Sequence, residues 1–550
     1  MLSFSIVINT LNRASLLQKT LESFRWLDYS GEFEVIVVNG PSTDHTAQII
    51  RSWLPRIRVG SCDVANLSVS RNVGICMARG DIVAFIDDDA VPEPEWLTQL
   101  AAGYDKAEVG GAGGIVFDRS GCTYQYQYST ANRLGNANWA SKSSTEHMCF
   151  PGSYMFPYLQ GTNASFRRSV LLEVGGFDEE IEFYLDETEL CCRIIDAGYV
   201  IRQLPNAYVH HKFASSHVRD ENKITRFRYP VLKNKIYFSL KHARPYLQIQ
   251  EILEDNRKFI QGHADEVESF IRSGRLPETE RARFEEESKL AWLRGNERGL
   301  SWQPERPTGE TLSSVEAQFI PLISSLGINR KSIVLISRDF PTLQSEGTAA
   351  IAENFAQALA DKGNIVHLIT QSSDINRVDF ECGVWVHRVL QRNIPMPPSA
   401  LERQVPTRIW DWSATALEEC RRISTHRPVN VVEAPLWECE GIAFLLEGNW
   451  PLVTSLTGGL HSWMCAHPNE ASDGEWMSTF GIPVLALERE LMTSVAAIRA
   501  ENDPAALKME SSYDLKLDRA RTQIIPHDVS EAERCLELYE VAVQRYRNAP

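Results

Sequence analysis

The chain lacks a long apolar run, and no stretch reaches the roughly 18 to 20 hydrophobic residues that a membrane-spanning helix needs. It also lacks Cys-x-x-Cys spacing. Its 11 cysteines are odd in number and scattered, which argues against a zinc site or a disulfide framework. No secretory leader precedes the first predicted strand. These absences predict a cytoplasmic protein with reduced thiols, whose contact with the inner face of the cell membrane is at most peripheral.

Positive charge is also scarce. The chain has 56 Lys and Arg against 72 Asp and Glu, so its formal net charge is -16. Binding to a polyanion needs an excess of basic side chains, so this balance argues against nucleic acid as a partner. The 550 residues, of which 43% are hydrophobic, are enough for more than one folded domain. We therefore expect a large multidomain protein.

The segment GDIVAFIDDDAVP, residues 80–92, is the most informative part of the chain. Its apolar stretch suits a buried strand and delivers Asp87, Asp88 and Asp89 to one point. Ligands of open α/β sheets bind just past the carboxyl ends of the strands. An Asp-x-Asp pair there binds a hard divalent cation through oxygen. Asp87 and Asp89 are therefore predicted metal ligands, although the triplet alone fits a solvated turn or a helix cap equally well.

Further segments place polar side chains at the same edge. FSIVINTLNR and EVIVVNGPSTDHT each end a predicted strand, LSVSRNVG precedes the acidic strand, and QGTNASFRRS comes before GGFDEEIEFYLDETELCCR. The polar side chains singled out are Thr10, Asn12, Arg13, Asn39, Asp44, Arg71, Asp186 and Glu187. Over residues 3–240, the order and spacing of these motifs resemble glycosyltransferase family 2, nucleotide-sugar-dependent enzymes of GT-A fold.

The resemblance implies a nucleotide-sugar donor. It puts Asn39 where the family usually has an aspartate that contacts the nucleoside base or ribose, and an amide hydrogen-bonds differently, so the base stays open. The rest of the predicted donor wall comprises Thr10, Asn12, Arg13 and Asp88. Arg71 either contacts phosphate or base, or is a surface ion-pair partner. Asp44 is either a nucleotide contact or a helix cap.

The chemistry of sugar transfer explains why the site needs carboxylates. As the donor breaks, negative charge grows on its diphosphate, and Mn²⁺ or Mg²⁺ bound by Asp87 and Asp89 offsets that charge. The acceptor hydroxyl loses its proton to a carboxylate. The resemblance assigns this role to the second acid of a Glu-Asp pair, matched here by Asp186-Glu187, so Glu187 is the predicted base and Asp186 its rival. A single displacement opposite the diphosphate inverts the anomeric configuration.

The remaining site predictions concern a histidine, a loop and the acceptor side. The resemblance assigns His210, ahead of His211, to the metal shell, and a structural histidine is the alternative. The stretch after Lys212, with Ser215, Ser216, His217 and Arg219, is predicted to close over the donor. The predicted acceptor side comprises Gly161, Asn163 and Trp139. An aromatic side chain such as Trp139 either stacks on a sugar ring or belongs to the core.

The composition divides the chain into three parts. Residues 1–245 are the predicted GT-A catalytic domain. Residues 246–328 are a charged helical connector with an apolar stripe that docks on a flanking domain or on a second copy of the chain. Residues 329–550 are a Rossmann-like α/β domain that resembles the N-terminal half of a GT-B glycosyltransferase. A partner Rossmann domain is missing from that pattern, so no second catalytic set is predicted.

Within the last part, the local pattern alternates between strands and helices. The segments KSIVLIS and NIVHLITQ predict strands at 333–337 and 365–370, with a helix between them. A further helix is predicted near 488–500. These elements, with the mixed sheet predicted for the first domain, make the whole chain an α/β protein.

We therefore predict an inverting, metal-dependent glycosyltransferase. It moves a sugar from a nucleotide-sugar donor to a glycan or lipid-linked glycan acceptor, in the synthesis of a bacterial surface polysaccharide. The alternative is a non-catalytic glycan-binding or scaffold protein derived from such enzymes. Intact acids at Asp87, Asp89 and Glu187 favour catalysis.

Overall fold

The computed structural model describes residues 1–216, 218–301, 306–313, 318–338, 348–528 and 530–548. The chain divides into two compact units, Met1–Ser324 and Ser325–Pro550. Each unit has its own sheet and its own buried apolar clusters, so the predicted α/β class is confirmed for both. Among the described residues, no helix combines the length and apolar character that crossing a membrane requires.

The first unit contains a large mixed sheet and a small antiparallel one. Its strands are β1 (Phe4–Thr10), β2 (Phe33–Asn39), β3 (Arg58–Ser61), β4 (Ile82–Phe85), β5 (Ala90–Pro92), β6 (Val109–Phe117), β7 (Tyr124–Tyr126), β8 (Tyr128–Asn132), β9 (Ala137–Ser141), β10 (Met155–Pro157), β11 (Ala164–Arg167) and β12 (Val200–His211). Its helices are α1 (Ala14–Ser23), α2 (Thr46–Trp53), α3 (Leu67–Met77), α4 (Trp96–Gly103), α5 (Arg168–Val174), α6 (Asp186–Asp196), α7 (Tyr229–His242), α8 (Ile249–Arg272), α9 (Thr279–Ser301) and α10 (Gly309–Ser313).

The large sheet has the order β3-β2-β1-β4-β11-β6-β12-β5, with β7 added on β6. Strand β1 pairs in parallel with both β2 and β4. Every residue of β4 is buried, as expected for a central strand covered on both faces. The chain runs outward from β1 to β3 and then returns to β4 on the other side of β1. This reversal creates a crevice beyond the carboxyl ends of β1 and β4, where ligands of α/β sheets bind.

Most of the helical segment predicted as a connector, up to Ser324, belongs to the first compact unit. Helices α8 and α9 pack against α7. The contact with α9 is close because Gly295 and Gly299 stand one turn apart on it. A Cβ atom at either glycine would lie 2.7 Å from the Cβ of Ile236 or Leu240 on α7.

The second unit is a doubly wound sheet with one antiparallel edge strand. Its strands are β13 (Ser332–Ile336), β14 (Ile365–Ser372), β15 (Arg377–Glu381), β16 (Val384–Leu390), β17 (Val431–Pro435), β18 (Leu452–Ser455), β19 (Ala497–Ala500) and β20 (Thr522–Ile524). Its helices are α11 (Thr348–Asp361), α12 (Pro398–Glu402), α13 (Thr407–Ser424), α14 (Ile442–Glu447), α15 (Leu460–Ala466), α16 (Pro468–Ala471), α17 (Gly474–Trp476), α18 (Ile482–Ser494), α19 (Asp503–Ser512) and α20 (Glu531–Arg547).

Strand order in this sheet is β15-β16-β14-β13-β17-β18-β19-β20. Strand β13 is parallel to β14 on one side and to β17 on the other, so the topological switch lies between β13 and β17. The helix predicted near 488–500 is wrong in its second half. Helix α18 ends at Ser494, and residues 497–500 form β19 between β18 and β20.

Candidate active site

Two carboxylates and one imidazole meet beyond the end of β4. The Nε2 atom of His211 lies 3.2 Å from Oδ1 of Asp89 and 3.6 Å from Oδ2 of Asp87. One ligand atom from each of the three residues lies within 4.8 Å of the other two. Carboxylate oxygens and an imidazole nitrogen are donors that suit Mn²⁺ or Mg²⁺. The donor set therefore fits a divalent cation.

The prediction of His210 as a metal ligand is wrong. Strand β12 pairs with β5 so that His211 lies opposite Ala90 and His210 opposite Val91. Consecutive side chains of a strand point to opposite faces. The Nε2 atom of His210 accordingly lies 2.7 Å from Oε1 of Glu93, away from Asp87 and Asp89.

Arg13 bridges Asp88 and Asp89. Its Nη1 donates to Oδ1 of Asp88 at 2.8 Å and lies 3.5 Å from Asp89. Burial raises the pKa of Asp88 to about 7, in spite of the charge of Arg13. Burial also acts to raise the pKa of Asp89, but His211, Arg13 and a backbone amide outweigh it and hold that pKa well below its usual range. Asp89 is therefore the carboxylate that stays ionised.

The loop after β12 lies against these acids. The backbone N–H of Ala214 donates to Oδ2 of Asp89 at 2.6 Å, and Nη2 of Arg13 donates to the carbonyl of Ser215 at 2.6 Å. The guanidinium of Arg219 lies 4.1 Å from the ring centroid of Phe213. His217 lies outside the described residues. The described part of the segment predicted to close over the donor thus contacts the acid cluster directly.

The second pair of acids begins α6. Two non-glycine residues just before it, Tyr184 and Leu185, have left-handed φ values of 71° and 68°, a strained conformation that recurs at functional sites. They turn the chain so that Asp186 and Glu187 occupy the first turn of the helix. Arg71 bonds to both acids, with its Nη2 2.9 Å from Oε1 of Glu187. Arg71 is thus engaged by the acid pair and lies in the interior.

The two acids differ in charge and access. Burial, and then the neighbouring charge of Glu187, raise the pKa of Asp186 well above its ordinary value. Burial also acts to raise the pKa of Glu187, but the charge of Arg71 and a hydrogen bond with Asp186 lower it overall. The side chain of Glu187 is 18% exposed and that of Asp186 is 2% exposed. Glu187 is therefore the ionised and reachable member of the pair.

Gly161 lies directly behind this pair. A Cβ atom there would come 1.8 Å from Oε1 of Glu187 and 2.3 Å from Nη2 of Arg71, so the backbone fits only because residue 161 has no side chain. Trp139 is 55% exposed, and its Nε1 donates to the hydroxyl of Tyr158 at 2.6 Å. Both Gly161 and Trp139 line the cavity that contains Glu187.

Asn163 has a structural place. Its Nδ2 donates to the carbonyls of Ile115 and Ala207, at 3.2 and 2.9 Å, and its Oδ1 accepts from Nε1 of Trp96 at 2.9 Å. These bonds satisfy the whole amide within the core, where Asn163 is 1% exposed. The prediction that it forms part of the acceptor side is therefore corrected.

Asn12 and Asn39 hold a loop together. The Oδ1 atom of Asn12 accepts from the backbone N–H of Thr43 at 2.7 Å, and Asn12 itself has a left-handed φ of 56°. The Oδ1 atom of Asn39 accepts from the hydroxyl of Ser42 at 2.9 Å. Although both were predicted to contact the donor, neither is among the described residues that line the cavity.

The carboxylate of Asp44 accepts hydrogen bonds at the N-termini of two helices. It accepts from the backbone N–H of Ala14 at 3.2 Å and from that of Thr46 at 3.0 Å. These amides open α1 and α2, so the carboxylate satisfies donors that a helix terminus leaves free. Of the two roles weighed for Asp44, the structure places it as a cap.

One cavity of about 320 Å³ unites the acid cluster with the acid pair. The predicted residues that line it are Thr10, Arg13, Arg71, Asp87, Asp88, Asp89, Trp139, Gly161, Asp186 and Glu187. Side chains that line it without having been predicted for the site include Asn9 and Asn66. Asn66 caps α3, because its Oδ1 accepts from the backbone N–H of Val69 at 3.1 Å.

The family model of glycosyl transferase family 2 matches residues 5–175, which contain β1, β4 and all three clustered aspartates. This part of the chain is a glycosyl transferase family 2 domain. The remaining members of the candidate site, namely the acid pair at Asp186 and Glu187 and the imidazole of His211, come after the matched segment of the glycosyltransferase domain.

The chain is similar to parts of two other proteins. Uncharacterized protein y4gI of Sinorhizobium fredii is 26% identical over 247 residues, which cover 41% of this chain and 26% of that protein. Validoxylamine A glucosyltransferase of Streptomyces hygroscopicus subsp. jinggangensis is 29% identical over 204 residues, which cover 32% of this chain and 47% of that protein. The chain thus spans about a quarter to a half of the length of these relatives.

The solved structures similar to this chain include the mannosyltransferase PcManGT from Pyrobaculum calidifontis, in complex with GDP-Man and Mn²⁺. That match has a TM-score of 0.33 and 16% sequence identity, and it covers 54% of this chain and 87% of the mannosyltransferase.

Proposed function

We propose that this chain is an inverting, metal-dependent glycosyltransferase that uses a nucleotide-sugar donor. The observation that supports this most strongly is the single cavity in which Asp87, Asp89 and His211 face the acid pair at Asp186 and Glu187. A cation site and an ionised carboxylate in one crevice are the two groups that sugar transfer from a diphosphate requires. The match to glycosyl transferase family 2 supports the same reaction class.

Asp87, Asp89 and His211 would hold the cation, Mn²⁺ or Mg²⁺. When bound, it supplies Lewis-acid stabilisation of the charge that develops on the leaving diphosphate. Arg13 forms ion pairs with Asp88 and Asp89, and its positive charge offsets part of their negative charge. The loop amide of Ala214 fixes the remaining oxygen of Asp89, which orients that carboxylate.

Glu187 is the proposed general base. It is ionised because Arg71 compensates its charge and Asp186 shares a hydrogen bond with it. Its carboxylate would accept the proton of the acceptor hydroxyl as that oxygen attacks the anomeric carbon. Attack from the face opposite the diphosphate inverts the anomeric configuration. Asp186, which is buried and neutral in this arrangement, would act as a positioning residue for Glu187.

The aromatic side of the cavity is the proposed acceptor side. Tyr126 and Trp139 lie edge to face with centroids 6.2 Å apart, and Trp139 is bonded to Tyr158. Aromatic faces present apolar surface to the C–H face of a sugar ring while leaving its hydroxyls free. We infer that the acceptor is a glycan or a lipid-linked glycan, in the synthesis of a bacterial surface polysaccharide.

The test is a donor screen on the full chain. Thermal unfolding is followed with UDP- and GDP-linked sugars in the presence of Mn²⁺ or of EDTA, together with donor hydrolysis. We expect one donor class to raise the unfolding temperature only with metal and to be hydrolysed slowly. Asp89→Ala should abolish both effects. If no nucleotide sugar binds in the presence of metal, the chain is a glycan-binding scaffold derived from such enzymes.

A further inference from the structure

The second unit contains its own cavity, of about 360 Å³. It lies beyond the carboxyl ends of β17 and β18, beside the switch between β13 and β17. This is the crevice at which open α/β sheets bind ligands. Its volume falls in the range of about 300 to 1,000 Å³ that is usual for small-molecule sites. The residues that line it are Arg408, Trp437, Glu438, Leu460, Trp463, Trp476, Phe480, Val484 and Glu488.

Aromatic rings form one wall of this cavity. The rings of Trp463 and Trp476 have centroids 5.6 Å apart, and those of Trp476 and Phe480 are 5.5 Å apart. The three side chains are partly exposed and line the cavity. They form a continuous row along α15, α17 and the turn that precedes α18.

Two carboxylates supply the polar groups. Glu438 accepts from Arg338 and Arg408, and it is held at a left-handed φ of 53°, as is its neighbour Cys439 at 50°. Two successive non-glycine residues in this conformation mark a backbone that the surrounding structure forces into place, as happens at ligand sites. The bend presents Glu438 at the cavity wall.

Glu488 forms the floor. It is fully buried, and its two oxygens accept from the backbone N–H of Leu460, at 3.0 and 3.1 Å, and from the hydroxyl of Tyr513. No basic side chain among the described residues forms a salt bridge with it. Burial of a carboxyl is unfavourable unless it is hydrogen-bonded, and these bonds fix the backbone where α15 begins, beside the aromatic wall.

We propose that this cavity is a sugar-binding site that takes a neutral pyranose of a glycan. The aromatic row would stack on the C–H face of the ring, and the carboxylate of Glu438 would accept hydrogen bonds from its hydroxyls. Glu488 would hold the backbone at the start of α15, beside the aromatic wall. A phosphate or another anion is disfavoured, because two acids line the cavity and Glu438 already engages Arg408. All of its lining residues belong to the second unit, so this site does not rest on the function proposed for the first.

The test is binding of the full chain to an immobilised array of neutral oligosaccharides built from glucose, galactose, mannose or N-acetylglucosamine, with uronic-acid oligosaccharides for comparison. EDTA is present and nucleotide sugar is omitted, so that the first unit cannot turn over a donor. We expect the wild-type chain to bind at least one neutral series. Binding to no neutral glycan, or to uronic-acid glycans alone, overturns the proposal.

Variants locate the glycan once a series binds. Trp476→Ala should weaken binding about tenfold or more, because it removes a stacking face. Tyr546→Ala, an exposed aromatic residue of the second unit that is not among the residues lining the cavity, should leave it unchanged. Loss of binding in Trp139→Ala with normal binding in Trp476→Ala would place the glycan at the acceptor side of the first unit and overturn the proposal.

Folding is checked by thermal unfolding and circular dichroism. Where the alanine variant fails to fold, Trp476→Phe and Glu438→Gln keep the test decisive. The first reduces the stacking area and the second removes the charge of a hydroxyl acceptor, so each should lower affinity severalfold. Unchanged affinity in both variants would overturn the proposal.

Discussion

At the residue scale, two adjacent acids illustrate how environment sets chemical role. Asp186 and Glu187 lie side by side at the start of α6, and both contact Arg71. Burial raises the pKa of Asp186, whereas Arg71 and the hydrogen bond from Asp186 leave the pKa of Glu187 lowered overall. Two carboxyl groups whose environments push their pKa values apart divide the roles of neutral partner and ionised base.

This division predicts different effects of the two amide substitutions. Glu187→Gln should lower the rate of transfer by roughly 100-fold or more, because it removes the proton acceptor, while donor affinity stays the same. Asp186→Asn replaces an acid that is already neutral and should be much milder. Single-turnover kinetics with the donor found in the screen measure both. A severe loss in Asp186→Asn with an active Glu187→Gln would exchange the two roles.

The two neighbouring histidines provide a second residue-scale prediction. His211→Ala should weaken Mn²⁺ binding by at least about tenfold, since a ligand is lost, and activity should recover partly at higher Mn²⁺. His210→Ala is the matched control. It removes the contact with Glu93 and should lower the unfolding temperature without changing Mn²⁺ affinity. Titration calorimetry with Mn²⁺ decides between them, and equal effects on metal affinity would contradict the assignment.

A buried acid of the second unit predicts a pH dependence. Burial raises the pKa of Glu440 to about 8, although Nε1 of Trp412 and the amide of Arg338 donate to it. The native state therefore keeps a proton that the unfolded chain, with a glutamate pKa of about 4.3, releases. Stability should fall as the pH rises from about 5 to 8, because native protein then binds more protons than unfolded protein.

Glu440→Gln is the comparison. An amide oxygen can accept the same two hydrogen bonds, so the variant should lose less stability than the wild type over this pH interval. Denaturant unfolding at several pH values, followed by tryptophan fluorescence, measures the difference. If the free energy of unfolding falls equally in both proteins over this pH interval, Glu440 does not titrate within it.

At the scale of elements, the closest helix contact of the first unit depends on two glycines. Gly295 and Gly299 let α9 approach α7 so closely that a Cβ atom at either position would meet Ile236 or Leu240 at 2.7 Å. Helix α7 follows the loop that contacts Asp89, and its Asn234 donates to the carbonyl of Phe183 at 2.6 Å, just ahead of the acid pair. The helical layer thus supports the segment that presents Glu187.

Gly295→Val should destabilise the first unit by about 1 to 3 kcal/mol, the usual result of overpacking a tight contact. Gly262→Ala on α8 is the control, because nothing lies within 4 Å of a Cβ atom there. That change should stabilise by up to about 1 kcal/mol through helix propensity. Both are measured by urea unfolding. A destabilising Gly262→Ala with a neutral Gly295→Val would contradict the packing described.

At the scale of the whole molecule, the first unit extends past its last long helix. Leu312 on α10 is fully buried, and Leu322 is 7% exposed with its backbone N–H donating to Phe33 at 2.8 Å. Both leucines belong to the apolar clusters of the first unit. The first unit therefore extends to Ser324, because these two leucines are buried in its apolar clusters.

A fragment that ends at Ser324 should fold and retain metal-dependent donor binding. A fragment that ends at Ser301 loses both leucines and should be less stable by about 3 to 6 kcal/mol, from roughly 1.5 to 3 kcal/mol for each buried leucine side chain. Thermal unfolding of the two fragments compares them. Equal unfolding temperatures would show that the residues between Ser301 and Ser324 add nothing to the stability of the first unit.

The sequence by itself determined the elements whose pattern is local. The apolar runs ending at Thr10, at Asn39 and ahead of Asp87 are strands, as predicted. Short apolar segments are ambiguous, because strand and helix bury such a run equally well. Residues 497–500 were predicted as helix, and they form β19 because β18 and β20 pair with them on either side.

Only the tertiary structure decided which polar side chains face the cavity. The pairing of β12 with β5 directs His211 to Asp87 and Asp89 and turns His210 away, and sequence alone cannot set that register. Asn163 lies in the core because its side-chain amide donates to backbone carbonyls that are distant in the chain. Local patterns specify where a strand ends, but the direction of each side chain depends on partners that only folding brings together.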